Sequence, residues 1–171
     1  MLKIAVLGAS GRMGRTLIEL ITESKDLELV GALTDPVDPD LGTDAAESAR
    51  LPAAGVLLTD DRGQALQDTH VAIDFTLPEA MLENVRACVD RGTPLVMGTT
   101  GLEQKHMDAM TEAARDIPLV FGRNMSVGVN VFTNMVRRAA AALGKDYDVE
   151  IREAHHQHKV DAPSGTALAL G

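Results

Sequence analysis

Leu2-Lys3-Ile4-Ala5-Val6-Leu7-Gly8-Ala9-Ser10-Gly11-Arg12-Met13-Gly14 decides the fold of this chain. A short apolar run stops at a glycine, as a strand buried on both faces does. Three glycines follow at G-x-x-G-x-x-G spacing. Beyond them Met13, Leu17, Ile18, Leu20 and Ile21 recur at helical spacing. Strand, glycine turn and helix in that order form a dinucleotide-binding fingerprint. The glycines permit the tight turn and let the backbone approach a pyrophosphate, which rests on the helix N-terminus. Leu27 to Leu33 reads as the next strand, and Asp35 just beyond it is placed to accept hydrogen bonds from ribose hydroxyls. Gly8, Ser10, Gly11, Arg12, Met13, Gly14 and Asp35 are therefore the candidate cofactor contacts of this half.

The pattern continues outward. Asp35 to Gly42 is a Pro-, Asp- and Gly-rich loop. Val56-Leu57-Leu58 is a weak strand and His70 to Phe75 a stronger one. Pro78 opens a helix running to about Arg91, Leu95-Val96-Met97 is a strand stopped by Gly98, Leu102 to Arg115 a helix, and Pro118 to Phe121 a strand. This alternation predicts an α/β fold: a Rossmann-type parallel sheet with helices on both faces. Asp74-Phe75-Thr76 and Gly98-Thr99-Thr100-Gly101 then share the carboxyl edge of the sheet, where Phe75, Gly98, Thr99 and Thr100 can line the nicotinamide half of a cofactor. Asp74 reads equally well as a loop anchor and as a ligand contact. After Gly122 the pattern changes. Asn130 to Leu143 is a helix, and Tyr147 to Glu153 alternates apolar and polar residues as a half-buried strand does. We expect a dinucleotide-binding domain over residues 1–125 and the start of a mixed α+β substrate-binding domain over 126–171.

The formal net charge of −9 argues against nucleic acid or an anionic membrane as partner. Cys88 is the only cysteine, so no intrachain disulfide can form, which fits a reducing compartment. No apolar run approaches the roughly 20 residues that span a membrane. Met1 leads straight into a strand-like run with no leader pattern. A soluble cytoplasmic protein is the expectation. With 2% aromatic residues the core must be aliphatic and alanine-rich.

Glu153-Ala154-His155-His156-Gln157-His158-Lys159-Val160-Asp161-Ala162-Pro163-Ser164-Gly165-Thr166 places three histidines and a lysine beside a turn that opens a helix. Histidine donates a proton readily near neutral pH, lysine holds an anion, and the first N–H groups of a helix attract one. The combination suits a small polycarboxylate that must be protonated. Metal binding is not expected. Adjacent histidines in extended chain face opposite ways, so only His156 and His158 share a side, and no Cys, Asp or Glu cluster completes a tetrahedral set. His106 reads as solvated, His70 as structural, and Met107 and Met110 as core-facing.

These motifs, with Asn124-Met125-Ser126-Val127-Gly128-Val129-Asn130 between them, occur in the same order in the bacterial dihydrodipicolinate reductase (4-hydroxy-tetrahydrodipicolinate reductase) family, which the chain resembles along its whole length. The last motif is the most specific. The resemblance implies a cytoplasmic oxidoreductase of the diaminopimelate route to lysine. It would reduce a cyclic dicarboxylate with NADH or NADPH, through a Rossmann domain and an α+β substrate domain, usually as a homotetramer. By position His155 is the proton donor and Lys159 the lysine of the substrate site. His156, Gly165 and Thr166 match carboxylate-binding positions, and Asn124, Met125 and Ser126 match cofactor positions. Asp35 followed by Pro36 favours NADH or dual use, since some members carry an arginine there that meets a 2′-phosphate. Met125 stands where an aromatic residue is common, and Gly122-Arg123 where small residues are usual. Family members continue for roughly a hundred residues past Gly171, the size of a small domain. The chain is therefore expected to be a C-terminally truncated member that binds dinucleotide and catalyses little by itself.

Two other readings use the same glycine loop. A different Rossmann dehydrogenase acting on an amino acid has no need of His155 to Lys159 or Pro163 to Thr166. A dinucleotide-binding fragment without catalysis needs neither.

Overall fold

In the computed structural model, which describes residues 1–155 and 162–171, six strands form one sheet. They are β1 (Leu2–Leu7), β2 (Leu27–Leu33), β3 (Leu58–Thr59), β4 (Val71–Asp74), β5 (Leu95–Met97) and β6 (Leu119–Phe121), in the order β3-β2-β1-β4-β5-β6. Every pairing is parallel. The strand order reverses at β1, between β2 and β4, which is where a sheet of this kind opens a ligand crevice at its carboxyl edge.

Parallel strands need crossovers, and helices supply them on both faces. Ile4 and Val6 of β1 pack with Ile18 and Ile21 of α1 (Arg12–Glu23) and Ala45 and Ala46 of α2 (Ala45–Ser48). The alternate residues Ala5 and Leu7 point the other way. They pack with Ala65 of α3 (Arg62–Ala65), Met81, Val85 and Cys88 of α4 (Pro78–Arg91), and Met110 and Ala113 of α5 (Gln104–Ala113). Each large aliphatic side chain so buried contributes about 1.5–3 kcal/mol. Cys88 is 0% exposed. Burial pushes its thiol up to about 12, with the negative charge of Asp74 adding to the shift. Sequence logic sets the ends of α4: Pro78 occupies the first turn, where its missing N–H costs nothing, and Gly92 takes the left-handed cap at φ 66°.

Several expectations need correction. The two short helices α2 and α3 were not anticipated. Asp44 caps α2 through the N–H groups of Ala46 and Glu47, and Asp61 caps α3 through that of Gln64. His106 is buried, not solvated: its Nδ1 accepts the Glu103 N–H at 2.9 Å and closes the capping box of α5. Tyr147 to Glu153 forms no strand. Tyr147, Val149 and Ile151 are exposed there; alternation makes a strand only where a neighbour takes up its backbone groups, and no described residue does so. Met107 and Met110 do pack on the core, and His70 Nδ1 accepts the Lys3 N–H at 3.1 Å.

Backbone contacts divide the chain into two units, Met1–Phe121 and Gly122–Gly171. The second holds α6 (Val127–Leu143), a 3-10 turn over Gly144–Asp146 and α7 (Gly165–Leu170). α6 starts three residues before the expected Asn130 because Ser126 caps it. None of its residues is buried. Among the described residues no helix is long and apolar enough to cross a membrane.

Candidate functional site

In the first unit the glycine loop sits at the end of β1. Gly8 has φ +84°, and a Cβ there would lie 2.9 Å from the Phe75 carbonyl oxygen. At Gly14 a Cβ would lie 2.1 Å from the Gly8 oxygen and 2.5 Å from that of Ala9, so α1 starts directly on the loop. The Gly8 and Ala9 N–H groups both donate to the Leu33 carbonyl, at 3.0 and 2.8 Å, which ties the loop to β2. Gly11 caps α1 without a side-chain acceptor, and the first turn carries no acid. Its N–H groups are left for an anion, with Arg12 and Met13 exposed around them. A tight turn, open helix donors and no competing side chain fit a pyrophosphate.

At the end of β2 the structure reveals a carboxylate that the sequence did not single out. Ser10 Oγ lies 2.6 Å from Thr34 Oγ1, and the Thr34 hydroxyl donates to Asp38 Oδ2 at 2.8 Å. Asp38 Oδ1 accepts the Asp40 N–H at 2.8 Å. The Ser10 hydroxyl holds the Asp38 carboxyl below the usual carboxylate range; partial burial opposes this, and the Asp40 N–H, the Thr34 hydroxyl and the Arg15 charge reinforce it. Asp35 is exposed, and its Oδ1 accepts the Val37 N–H at 2.9 Å. The signal available in the sequence was Pro36. It stands second in a turn closed by the Asp38 N–H on the Asp35 carbonyl at 3.0 Å, a position proline favours, and that turn folds Asp38 back onto Thr34.

The next edge is made by β4 and β5. The Phe75 ring lies against Gly98, where a Cβ would come within 2.3 Å of its Cε1 and Cζ. Thr99 is buried and Thr100 exposed. Asp74 is 0% exposed and bonded to Thr76, Asn84 and Thr99, so it anchors the turns instead of facing a ligand.

In the second unit Asn124 is a hub. Its Oδ1 accepts the Ser126 N–H at 2.9 Å, its carbonyl accepts Asn130 Nδ2 at 2.9 Å, and its own Nδ2 donates to Thr166 Oγ1 at 3.3 Å. An expected cofactor residue and an expected substrate residue are thus brought together. Ser126 Oγ caps α6 through the Val129 N–H at 3.4 Å. Met125 folds its sulfur over Gly122, 3.0 Å from where a Cβ would stand.

His155 is 39% exposed at its side chain, with Nδ1 3.6 Å from Glu153 Oε2. The Glu153 carboxylate accepts the Ser164 N–H at 2.7 Å and the Ser164 hydroxyl, and Ser164 Oγ in turn accepts the Ala167 N–H at 3.1 Å, capping α7. Glu153, not nominated by sequence, therefore joins His155 to the start of α7, where Gly165 and Thr166 form the first turn. His156 and Lys159 lie outside the described residues.

The family model described as dihydrodipicolinate reductase, N-terminus matches residues 2–125, and that described as dihydrodipicolinate reductase, C-terminus matches 128–171. A 4-hydroxy-tetrahydrodipicolinate reductase of Alkalilimnicola ehrlichii is 52% identical over 99% of this chain and 63% of its own length. One of Hahella chejuensis is 47% identical over 100% and 64%. The chain thus spans somewhat under two thirds of the length of these relatives. A dipicolinate-bound dihydrodipicolinate reductase from Paenisporosarcina sp. TG-14 superposes with a TM-score of 0.76 at 28% identity, over 99% of this chain and 64% of that one. The myo-inositol 2-dehydrogenase of Lactobacillus plantarum, 18% identical with a TM-score of 0.59 over 81% of this chain and 41% of that one, shares the fold.

Proposed function

The chain belongs to the dihydrodipicolinate reductase family, and from that premise we propose that it carries the dinucleotide-binding unit and acid-bearing segment of an NAD(P)H-dependent 4-hydroxy-tetrahydrodipicolinate reductase. Such an enzyme reduces 4-hydroxy-tetrahydrodipicolinate, through its dehydrated form, to tetrahydrodipicolinate. It works in the cytoplasm, on the diaminopimelate route to lysine, as a homotetramer. The observation that carries the reading is the loop between β1 and α1, pressed so closely on its surroundings that only glycine fits at position 14.

When bound, the nicotinamide supplies a hydride. The chain's own residues do the rest. The loop N–H groups and Arg12 hold the pyrophosphate. Asp35 and Asp38, beside the end of β2, would meet ribose hydroxyls and both repel a 2′-phosphate, so NADH is favoured or use is dual, with Arg12 of the glycine loop offering a countercharge. Phe75, Gly98, Thr99 and Thr100 would line the nicotinamide half, and Asn124, Met125 and Ser126 match cofactor positions of the family. His155, oriented by Glu153, donates the proton. Lys159 pairs with a substrate carboxylate, and His156, Gly165 and Thr166 complete its binding. A charge-assisted contact of the Lys159 kind contributes about 1.5–3 kcal/mol.

The test is a fluorescence titration of the 171-residue chain with NADH, with and without pyridine-2,6-dicarboxylate. NADH binding that the dicarboxylate alters supports the reductase. Binding that ignores the dicarboxylate favours a cofactor-binding module or another dehydrogenase. Absence of NADH binding refutes the proposal.

A further inference from the structure

Asp74 ends β4 with 0% of its surface exposed. A carboxylate buried without partners costs several kcal/mol, so its partners show what it is there to hold. Oδ1 accepts the Thr76 N–H at 2.8 Å, the Thr76 hydroxyl at 2.7 Å and the Thr99 hydroxyl at 3.2 Å. Oδ2 accepts Asn84 Nδ2 at 2.9 Å. Asn84, also 0% exposed, passes the contact outward: its Oδ1 accepts Arg62 Nε at 2.9 Å, and Arg62 pairs with Glu83 at 2.8 Å.

Thr76 lies in the turn that leaves β4, and Thr99 in the turn that leaves β5. The backbone joins the same two turns through the Gly98 N–H on the Asp74 carbonyl at 2.8 Å. Phe75 sits between Asp74 and Thr76 with its ring against Gly98. One side chain therefore spans two neighbouring turns and sets the aromatic residue between them.

We infer that Asp74 is a positioning residue for the nicotinamide half of the cofactor: its carboxylate clamps the β4 and β5 turns together and so fixes Phe75, Thr99 and Thr100 as a preformed wall. The inference rests on the reading of the crevice as a dinucleotide site. The adenosine half is assigned to the glycine loop and the end of β2, which the Asp74 side chain does not touch. A carboxylate is required because all four contacts are donors aimed at it. An amide of the same size would turn its own N–H groups against one of them, and a donor facing a donor is left unsatisfied.

The experiment compares two probes on the 171-residue chain. NADH carries the nicotinamide ring and ADP-ribose lacks it. For Asp74→Asn we expect NADH affinity to fall at least tenfold, with ADP-ribose affinity within twofold of wild type. Asn84→Ala removes the Oδ2 partner without touching cofactor, and should show the same split at threefold or more. It decides the matter alone if Asp74→Asn does not fold. Equal losses for both probes, or no loss for either, overturn the clamp while leaving the dinucleotide reading intact. A wild-type chain that binds neither probe overturns both.

Discussion

Replacing Gly14 by alanine tests the close approach on which the cofactor cradle depends. The added Cβ would stand 2.1 Å from the Gly8 carbonyl oxygen and 2.5 Å from that of Ala9. Both are backbone atoms fixed by neighbours: Gly11 N–H donates to the first, and the loop hangs from Leu33 by two hydrogen bonds. Relief to ordinary contact, at 3.4 Å or more, needs α1 to retreat by about 1.3 Å. Overpacking of this kind costs about 1–3 kcal/mol, and more against rigid backbone. A domain of this size would lose roughly 5–15 °C of Tm and stay folded. The helix N–H groups would retreat by the same distance, beyond hydrogen-bond reach of a phosphate. With about 1.5 kcal/mol for each charge-assisted bond, losing two raises the NADH Kd by about 100-fold. Gly128→Ala is the control, since a Cβ there meets nothing nearer than Ser126 Oγ at 3.8 Å. Circular dichroism melts and NADH fluorescence titrations decide the case. A Gly14→Ala chain that melts within a degree of wild type and binds NADH within twofold would refute the packing argument.

In an active enzyme preparation, His155→Gln should lower kcat by about 100- to 10,000-fold, as loss of a positioned acid does, with the Kd for NADH within twofold; turnover within a few-fold of wild type would remove His155 from the mechanism. Asp38→Asn should improve NADPH binding relative to NADH by more than Asp35→Asn does, because Asp38 is the carboxylate wired to Ser10 and Thr34; the opposite ranking in direct titrations would return the role to Asp35. Acid should expose two stabilising carboxylates. Burial alone would raise Asp44, but the N–H groups of Ala54, Glu47, Gly55 and Ala46 outweigh it and hold the carboxyl below its usual value, and Asp38 is lowered as well. Both folded-state values lie below the unfolded value of about 4, so this stabilisation is complete above that pH and is lost as pH falls through the lowered folded values. Urea titrations at pH 7, 5 and 3.5 should show Asp44→Ala less stable than wild type by about 1–3 kcal/mol at pH 7 with the gap narrowing at pH 3.5; a constant gap would contradict the linkage.

The strands and long helices of the first unit were legible because their apolar periods are local and their ends carry glycine or proline. α2 and α3 were missed although Asp44 and Asp61 are capping residues, since four-residue helices leave no period to detect. His106 misled because the neighbouring polar residues suggested a wet helix, whereas its ring closes a cap that only the folded turn creates. Tyr147 to Glu153 misled in the other direction: the alternation is in the sequence, but a partner strand is not a local property. At the site, spacing marked the glycine loop, while the hydrogen bond of Asp38 to Thr34 beside that loop depends on one proline turn, and the tie of Glu153 to Ser164 spans eleven residues.

Cys88 has a practical consequence. Cys88 is 0% exposed and burial pushes its thiol up to about 12, so very little thiolate is present near neutral pH, and reagents attack the thiolate. The native protein should therefore be silent to maleimides and iodoacetamides while folded. Any cysteine introduced on the surface, for instance at exposed Val120, would take a fluorophore or spin label without background, and the native thiol would become reactive only on unfolding, making its modification rate a clock for the opening of α4.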